Sequence, residues 1–194
     1  MIMDALSAIE KRRSISKLVM PGPNGEQLGV LIGAAIAAPD HAKLKPWRFI
    51  VLRGAAKDAF SDVFANSYLQ ACDKAGSAPD EATLTKERTK LERAPVVIVA
   101  VHQARPHNSV TVDEQRDAVA AAVENLLIAA TALDFGTMWR TGNSVQDPHV
   151  RAALGVGADD SIVGFIYVGT IAPECTPKPR ELPNARDLIE IWHT

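Results

Sequence analysis

Apolar residues recur along the chain with two spacings, three to four residues and two, and the points where the spacing changes divide it into elements. Asp4 to about Arg12 reads as a first helix, with Leu6, Ile9 and Ala5 on one face before a polar run ends the pattern. A Pro/Gly turn occupies 21–25, and Asn24 followed by Gln27 resembles a capping box. It opens a second helix through Leu28, Leu31, Ile32 and Ala35, which Pro39 ends. A polar loop over 40–45 leads to Pro46 and a strand from Trp47 to Leu52, rich in aromatic and β-branched side chains. Residues from about 55 to 93 carry two helical patterns separated at 76–79, the second heavily charged and expected to be solvated. The clearest strand is 94–101, a continuous apolar run of the kind a strand shows when helices cover both faces of its sheet.

Thr111 with Glu114 forms a second capping box, opening a long helix on which Ala118, Ala122, Leu126, Ala130 and Leu133 share a face. Val119, Val123 and Leu127 widen that face so far that the helix must be central, or pack on a second subunit as well as on its own sheet. Gly136 is expected to close it, and a short strand runs from Thr137 to Arg140. Asp147 and Pro148 start a short helix to Leu154, and Ser161 to Thr170 is a further strand. From about 171 to 194, Pro173, Pro177, Pro179 and Pro183 mark an extended tail with no helical or hairpin pattern of its own, expected to pack on a neighbouring subunit. No internal repeat is present, and a length of 194 residues suits a single domain over 1–194.

Composition narrows the partners. With 21 basic against 23 acidic residues the formal charge is -2, too balanced to imply nucleic acid. Small, neutral or weakly charged partners are favoured. Cys72 and Cys175 lie far apart with no metal-binding context, so neither a disulfide framework nor a metal site is expected. The N-terminal stretch lacks the pattern of a signal peptide, and the most apolar later segment, 118–133, is broken by Glu124 and Asn125. A cytoplasmic protein with no membrane partner is expected.

Three segments look purposeful. Arg12 and Arg13 sit where an amphipathic helix ends, next to Ser14. They either complement the helix dipole or bind an anionic cofactor, since a guanidinium fork suits phosphate and a neighbouring hydroxyl and backbone amides satisfy its remaining oxygens. His41 follows a helix-ending proline and Trp47 follows Pro46; the first is either a surface histidine or a functional ring, the second a core residue. Trp139, Arg140 and Thr141, followed by Gly142, place an indole, a cation and a hydroxyl where a strand ends, which serves packing or a ligand equally well. No pair has defensible nucleophile and base spacing, so no catalytic side chain is assigned. A dinucleotide-binding glycine motif is also missing, because Gly155 and Gly157 follow a helix rather than a strand.

Taken in order, these segments resemble the nitroreductase family. The matching pieces are Asp4–Leu6, Arg12–Leu18, Gly25–Leu28, Ala38–His41, Pro46 with Trp47, Phe135 with Gly136, Trp139 with Arg140, and Ile162–Phe165 with Gly169 and Thr170. Each piece alone is weak and the ordered series is specific. The resemblance implies an α+β fold, a central mostly antiparallel sheet flanked by helices in an intertwined homodimer with FMN sites between subunits. It further implies hydride transfer from NAD(P)H through FMN to a small electron-poor acceptor such as a nitroaromatic or a quinone, with ping-pong kinetics. Arg12, Arg13 and Ser14 inherit the FMN phosphate and ribityl chain, His41 a place beside the flavin, and Trp139, Arg140 and Thr141 a contact with the flavin from the other chain. Two departures stand out: relatives carry a third basic residue where this chain has Ser16, and an arginine where it has Ala37. Arg13, His41 and Arg140 are then the candidates for stabilising the reduced flavin. Lys178 and Arg180 resemble a basic pair that reaches the phosphate in longer relatives, or belong to a solvated tail. A different flavin chemistry on the same scaffold, such as dehalogenation or enone reduction, and a non-catalytic flavin-binding or regulatory dimer remain open alternatives.

Overall fold

The computed structural model describes residues 3–177 and 179–192. Helix α1, Ala5–Lys11, begins at Asp4, whose carboxylate accepts from the Ser7 amide at 3.1 Å. Strand β1, Leu18–Val19, is a two-residue element without a periodic signal of its own. Helix α2, Gly25–Ala35, opens on the expected capping box, with Asn24 and Gln27 each bonding the other's backbone amide at 2.9 Å. Strand β2 is Trp47–Arg53, and α3 is a single helix of 21 residues, Ala55–Ala75. The charged helix α4, Glu81–Arg88, buries Leu84 and is otherwise largely exposed, and the turn after it buries Leu91. Strand β3 is Val96–His102, α5 is Val112–Ala132 behind the Thr111/Glu114 capping box, β4 is Gly136–Arg140, α6 is Pro148–Ala153 and β5 is Ser161–Ile171.

Strand β5 organises the sheet. It pairs with β3 along 161–168, with β4 along 165–169 and with β1 at 170–171, so β3 and β4 take its opposite edges. Strand β2 completes the sheet beyond β3, and all four strand pairings are antiparallel. All seven residues of β3 are buried, and the pleat divides them between two cores. Val97, Val99 and Val101 join Phe60, Phe64, Val150 and Leu154 from α3 and α6 with its flanking residue. Val96, Ile98 and Ala100 join Leu31 from α2 and Val119, Val123 and Leu126 from α5 on the other face. The continuous apolar run therefore reflects helices on both sides, although the sheet is antiparallel.

Three local expectations are corrected. Gly136 does not close α5: the left-handed residue after the helix is Asp134 at φ 62°, and Gly136 is already in β4. Its missing side chain serves close packing instead, since a Cβ there would lie 2.6 Å from Leu18 Cδ2 and 2.8 Å from Ile171 Cγ1. Helix α1 buries Ala8, while Leu6 and Ile9 point outward at 73% and 42% exposure, because no element of the same chain covers that face. The tail contains one short 3-10 turn, Ala185–Leu188, held by Asn184. A further turn lies at Pro173 and Glu174, where the Cys175 amide donates to the Ala172 carbonyl at 2.8 Å, and Leu182, Leu188, Ile189, Ile191 and Trp192 are all exposed.

Candidate cofactor site

Two of the three segments that sequence singled out meet at strand β4, one at each end. At its start Ser14 forms a parallel bridge with Thr137, and the Ile15 amide donates to the Thr137 carbonyl at 2.8 Å. A cavity of about 300 Å³ opens there, bordered by Arg13, Ser14, Ser16 and Cys175. At the other end Arg140, Thr141 and Gly142 border a larger cleft of about 690 Å³. At roughly 3.3 Å per residue, Thr137 and Thr141 are separated by about 13 Å of strand.

The large cleft is cationic over an aromatic floor. Lys86, Lys90, Arg93 and Arg140 border it, against Glu87 alone among carboxylates, a formal excess of three positive charges. Phe64, Phe165 and Tyr167 line its base. Lys90 is tied down: it pairs with Glu87, donates to Ser144 Oγ at 3.1 Å and lies 4.4 Å above the Phe64 ring. Lys86, Arg93 and Arg140 have no carboxylate at ion-pair distance among the described residues. Arg140 is half-buried, with its guanidinium carbon 6.0 Å from the centre of the Tyr167 ring. Burial pushes the Tyr167 hydroxyl up to about 12 despite the nearby Arg140 and Arg93, so the phenol stays neutral and its ring remains a π surface.

The other candidates are placed as follows. Arg12 caps α1, and its Nε lies 3.4 Å from Glu124 of α5. The Arg12 carbonyl accepts from Arg180 at 2.7 Å and from Arg13 Nη1 at 2.9 Å, and Arg13 also donates to the Glu10 carbonyl. Arg180 thus folds the tail back onto the end of α1; Lys178 lies outside the described residues. Trp139 also borders the large cleft, but the strand's two-residue period turns its indole toward the core on the face opposite Arg140. Its indole N–H donates to the Val163 carbonyl at 3.2 Å, and the ring lies against Gly164, where a Cβ would sit 2.0 Å from Nε1. His41 borders neither cavity. It is exposed, with Nδ1 3.3 Å from Glu114, whose carboxyl is held low by the Thr111 amide, the Thr111 hydroxyl and His41. Its loop holds Ala42, Lys43 and Lys45 at φ of 60°, 55° and 51°, a strained conformation for side chains with a Cβ. One chain therefore brings Arg13 and Ser14 to one end of β4 and Arg140 and Thr141 to the other, and leaves His41 apart.

Sequence reasoning did not find Lys86, Lys90 or Arg93, which it took for a solvated face. The available signal was the spacing: Lys86, Lys90 and Arg93 recur at three to four residues and so share one side of a helical stretch.

The model of the nitroreductase family matches residues 9–170. The Escherichia coli (strain K12) protein named "Putative NAD(P)H nitroreductase YdjA" is 39% identical over 168 residues, 87% of this chain and 88% of that protein. Among solved structures, a nitroreductase-like family protein from Bacillus cereus superposes with a TM-score of 0.82 at 20% identity, covering 99% of this chain and 97% of that one. A protein from Desulfovibrio desulfuricans, solved in complex with FMN, superposes with a TM-score of 0.72 at 25% identity over 98% of both chains.

Proposed function

Because the chain belongs to the nitroreductase family, we propose that it is an FMN-dependent oxidoreductase that takes hydride from NAD(P)H and passes it to a small electron-poor acceptor such as a nitroaromatic or a quinone. The observation that carries this reading is the strand β4, with an arginine and serine cradle at one end and a cationic, aromatic-floored cleft at the other. A mononucleotide has the same polarity: a dianionic phosphate, a flexible linker and a planar ring. The residues present fit that group. Arg12, Arg13 and Ser14 suit the phosphate through charge-assisted bonds, and Arg180 steadies the segment by capping the Arg12 carbonyl. Phe64, Phe165 and Tyr167 exclude water from the base of the cleft, while Arg140 and Thr141 present a cation and a hydroxyl at its rim. Trp139 contributes by anchoring β4 to β5 through the Val163 carbonyl.

Bound FMN supplies the hydride-transfer chemistry, and the protein supplies position and electrostatics. Emptying and refilling of one flavin face by donor and then acceptor gives ping-pong kinetics. We assign the working unit as a homodimer. The outward-facing Leu6, Ile9, Val30, Ile36 and Val112, together with the apolar tail, form more exposed hydrophobic surface than one chain has a use for. His41 then approaches the flavin of the partner subunit. The family resemblance gives Trp139, Arg140 and Thr141 to the partner's flavin as well, but the run of β4 from Thr137, where Ser14 bridges to it, toward Thr141 favours their serving their own chain's site. Mixed dimers with Arg12→Ala in one subunit and Arg140→Ala in the other separate the two. In cis each site carries one lesion; in trans one site is intact and half of the FMN binds with native affinity.

The test of the function is an absorbance spectrum. Purified protein mixed with FMN should retain flavin bands through gel filtration, and NAD(P)H should bleach them without oxygen. A chain that retains no flavin refutes the reading; retained bands that NAD(P)H leaves intact identify a flavin-binding protein without this activity.

A further inference from the structure

We propose that Arg140 is the group that stabilises the negative charge a bound flavin acquires on reduction, which makes this one residue set the reducing strength of the enzyme. The inference rests on the FMN reading above. Hydride from NAD(P)H carries two electrons and one proton, so a neutral flavin ring that accepts it becomes a monoanion, and NAD(P)H leaves as the oxidised nicotinamide. The charge stays on the ring unless solvent supplies a further proton. A cation held beside the ring favours the anion, and does so more strongly the less water screens it.

Three candidates could supply that cation, and the structure separates them. Arg13 is committed to the Glu10 and Arg12 carbonyls at the end of α1, beside the cradle at the far end of β4. His41 is exposed and already faces the Glu114 carboxylate at 3.3 Å. Arg140 faces the large cleft from a fixed strand position, is half-buried, lies over the neutral ring of Tyr167 and has no carboxylate partner among the described residues. Of its neighbours, Lys90 is neutralised by Glu87, and Lys86 and Arg93 are exposed, so solvent screens them more than Arg140. Ser16 adds no charge in the small cavity. An excess of positive charge in an aromatic-lined cleft costs stability unless an anion answers it, and a ring that gains charge during turnover is such an anion.

The experiment measures FMN affinity in both oxidation states, and the flavin midpoint potential, for the wild-type holoenzyme, Arg140→Leu and Arg140→Lys. Loss of the charge should weaken binding of reduced FMN at least about tenfold more than binding of oxidised FMN, since one nearby opposite charge shifts such an equilibrium by one or more tenfold steps. For a two-electron couple that is a fall of about 30 mV in midpoint potential. The reduced flavin of Arg140→Leu should also take up its second proton at higher pH than wild type, and Arg140→Lys should recover most of both effects. Thermal unfolding of each variant identifies any that fail to fold, and Arg140→Lys keeps the test decisive if Arg140→Leu does. Equal weakening of both oxidation states overturns the inference, because Arg140 is then a plain binding contact, as for phosphate. An unchanged potential with unchanged affinities overturns it too. Wild-type protein that takes up no FMN overturns the function itself, and with it this inference.

Discussion

Replacement of Gly164 by alanine tests how the site is held. Gly164 lies in β5 opposite Ala100, where the register with β3 shifts, and the Trp139 indole fills the space a side chain would need. An added Cβ would lie 2.0 Å from Trp139 Nε1, 2.5 Å from its Cδ1 and 3.0 Å from the Arg140 carbonyl oxygen. The flat indole has no rotamer that yields a few tenths of an ångström, so it must swing away. That breaks its 3.2 Å hydrogen bond to the Val163 carbonyl. Overpacking of this kind costs about 1–3 kcal/mol, and the lost hydrogen bond adds about 1 kcal/mol. A total of about 2–4 kcal/mol is a large part of the roughly 5–15 kcal/mol that holds a domain folded. In a chain of this length it lowers Tm by about 4–16 °C, at roughly 2–4 °C per kcal/mol. Differential scanning calorimetry measures the shift, and tryptophan emission reports the displaced indole. The cost should shrink to under about 1 kcal/mol when Gly164→Ala is made in a Trp139→Ala background, as coupled neighbours require. A Tm within about 2 °C of wild type, with unchanged emission, would show that β4 tolerates displacement of Trp139 and that this contact does not fix the site.

Arg12→Ala should weaken FMN binding by about 1.5–3 kcal/mol if its guanidinium bonds the phosphate; isothermal titration checks this, and unchanged affinity removes Arg12 from the site. His102 is fully buried at the end of β3, and burial lowers its pKa against the opposing influence of Asp160. The folded state therefore resists its protonation, while the unfolded chain takes up the proton near pH 6.5. Stability from this group is complete above that value and falls as pH drops below it toward the depressed folded pKa. Urea midpoints at pH 7.5, 6.5 and 5.5 should decline across that window, above the range where the lowered carboxyls of Asp4, Asp80, Glu114 and Asp147 titrate. His102→Asn should flatten the decline, and an equal slope in the variant would assign it elsewhere.

Much of this protein is written in interactions that reach no more than four residues along the chain. The capping boxes at Asn24/Gln27 and Thr111/Glu114, the Asp147–Pro148 helix start and the β-branched runs of β2, β3 and β5 were legible for that reason. Arg12, Arg13 and Ser14 could be read as groups suited to an anion, and Arg140 and Thr141 as groups suited to packing or a ligand, because residue chemistry does not depend on the fold. What the linear order could not decide is what meets what. Strand β1 exists only because β5 offers an edge to Leu18 and Val19. Gly136 read as a helix stop, yet the close approach of Leu18 and Ile171 is what requires glycine there, and Asp134 takes the left-handed turn. The charged stretch holding Lys86, Lys90 and Arg93 looked like a solvated face. Its cations stand opposite Arg140 because α4 and its following turn close over the end of β4, more than forty residues away along the chain. Leu6, Ile9 and the tail showed their apolar character in sequence, and only the tertiary structure left it uncovered. Local bonds choose an element. The burial of its faces against distant ones chooses its neighbours, and the candidate site is made of such neighbours.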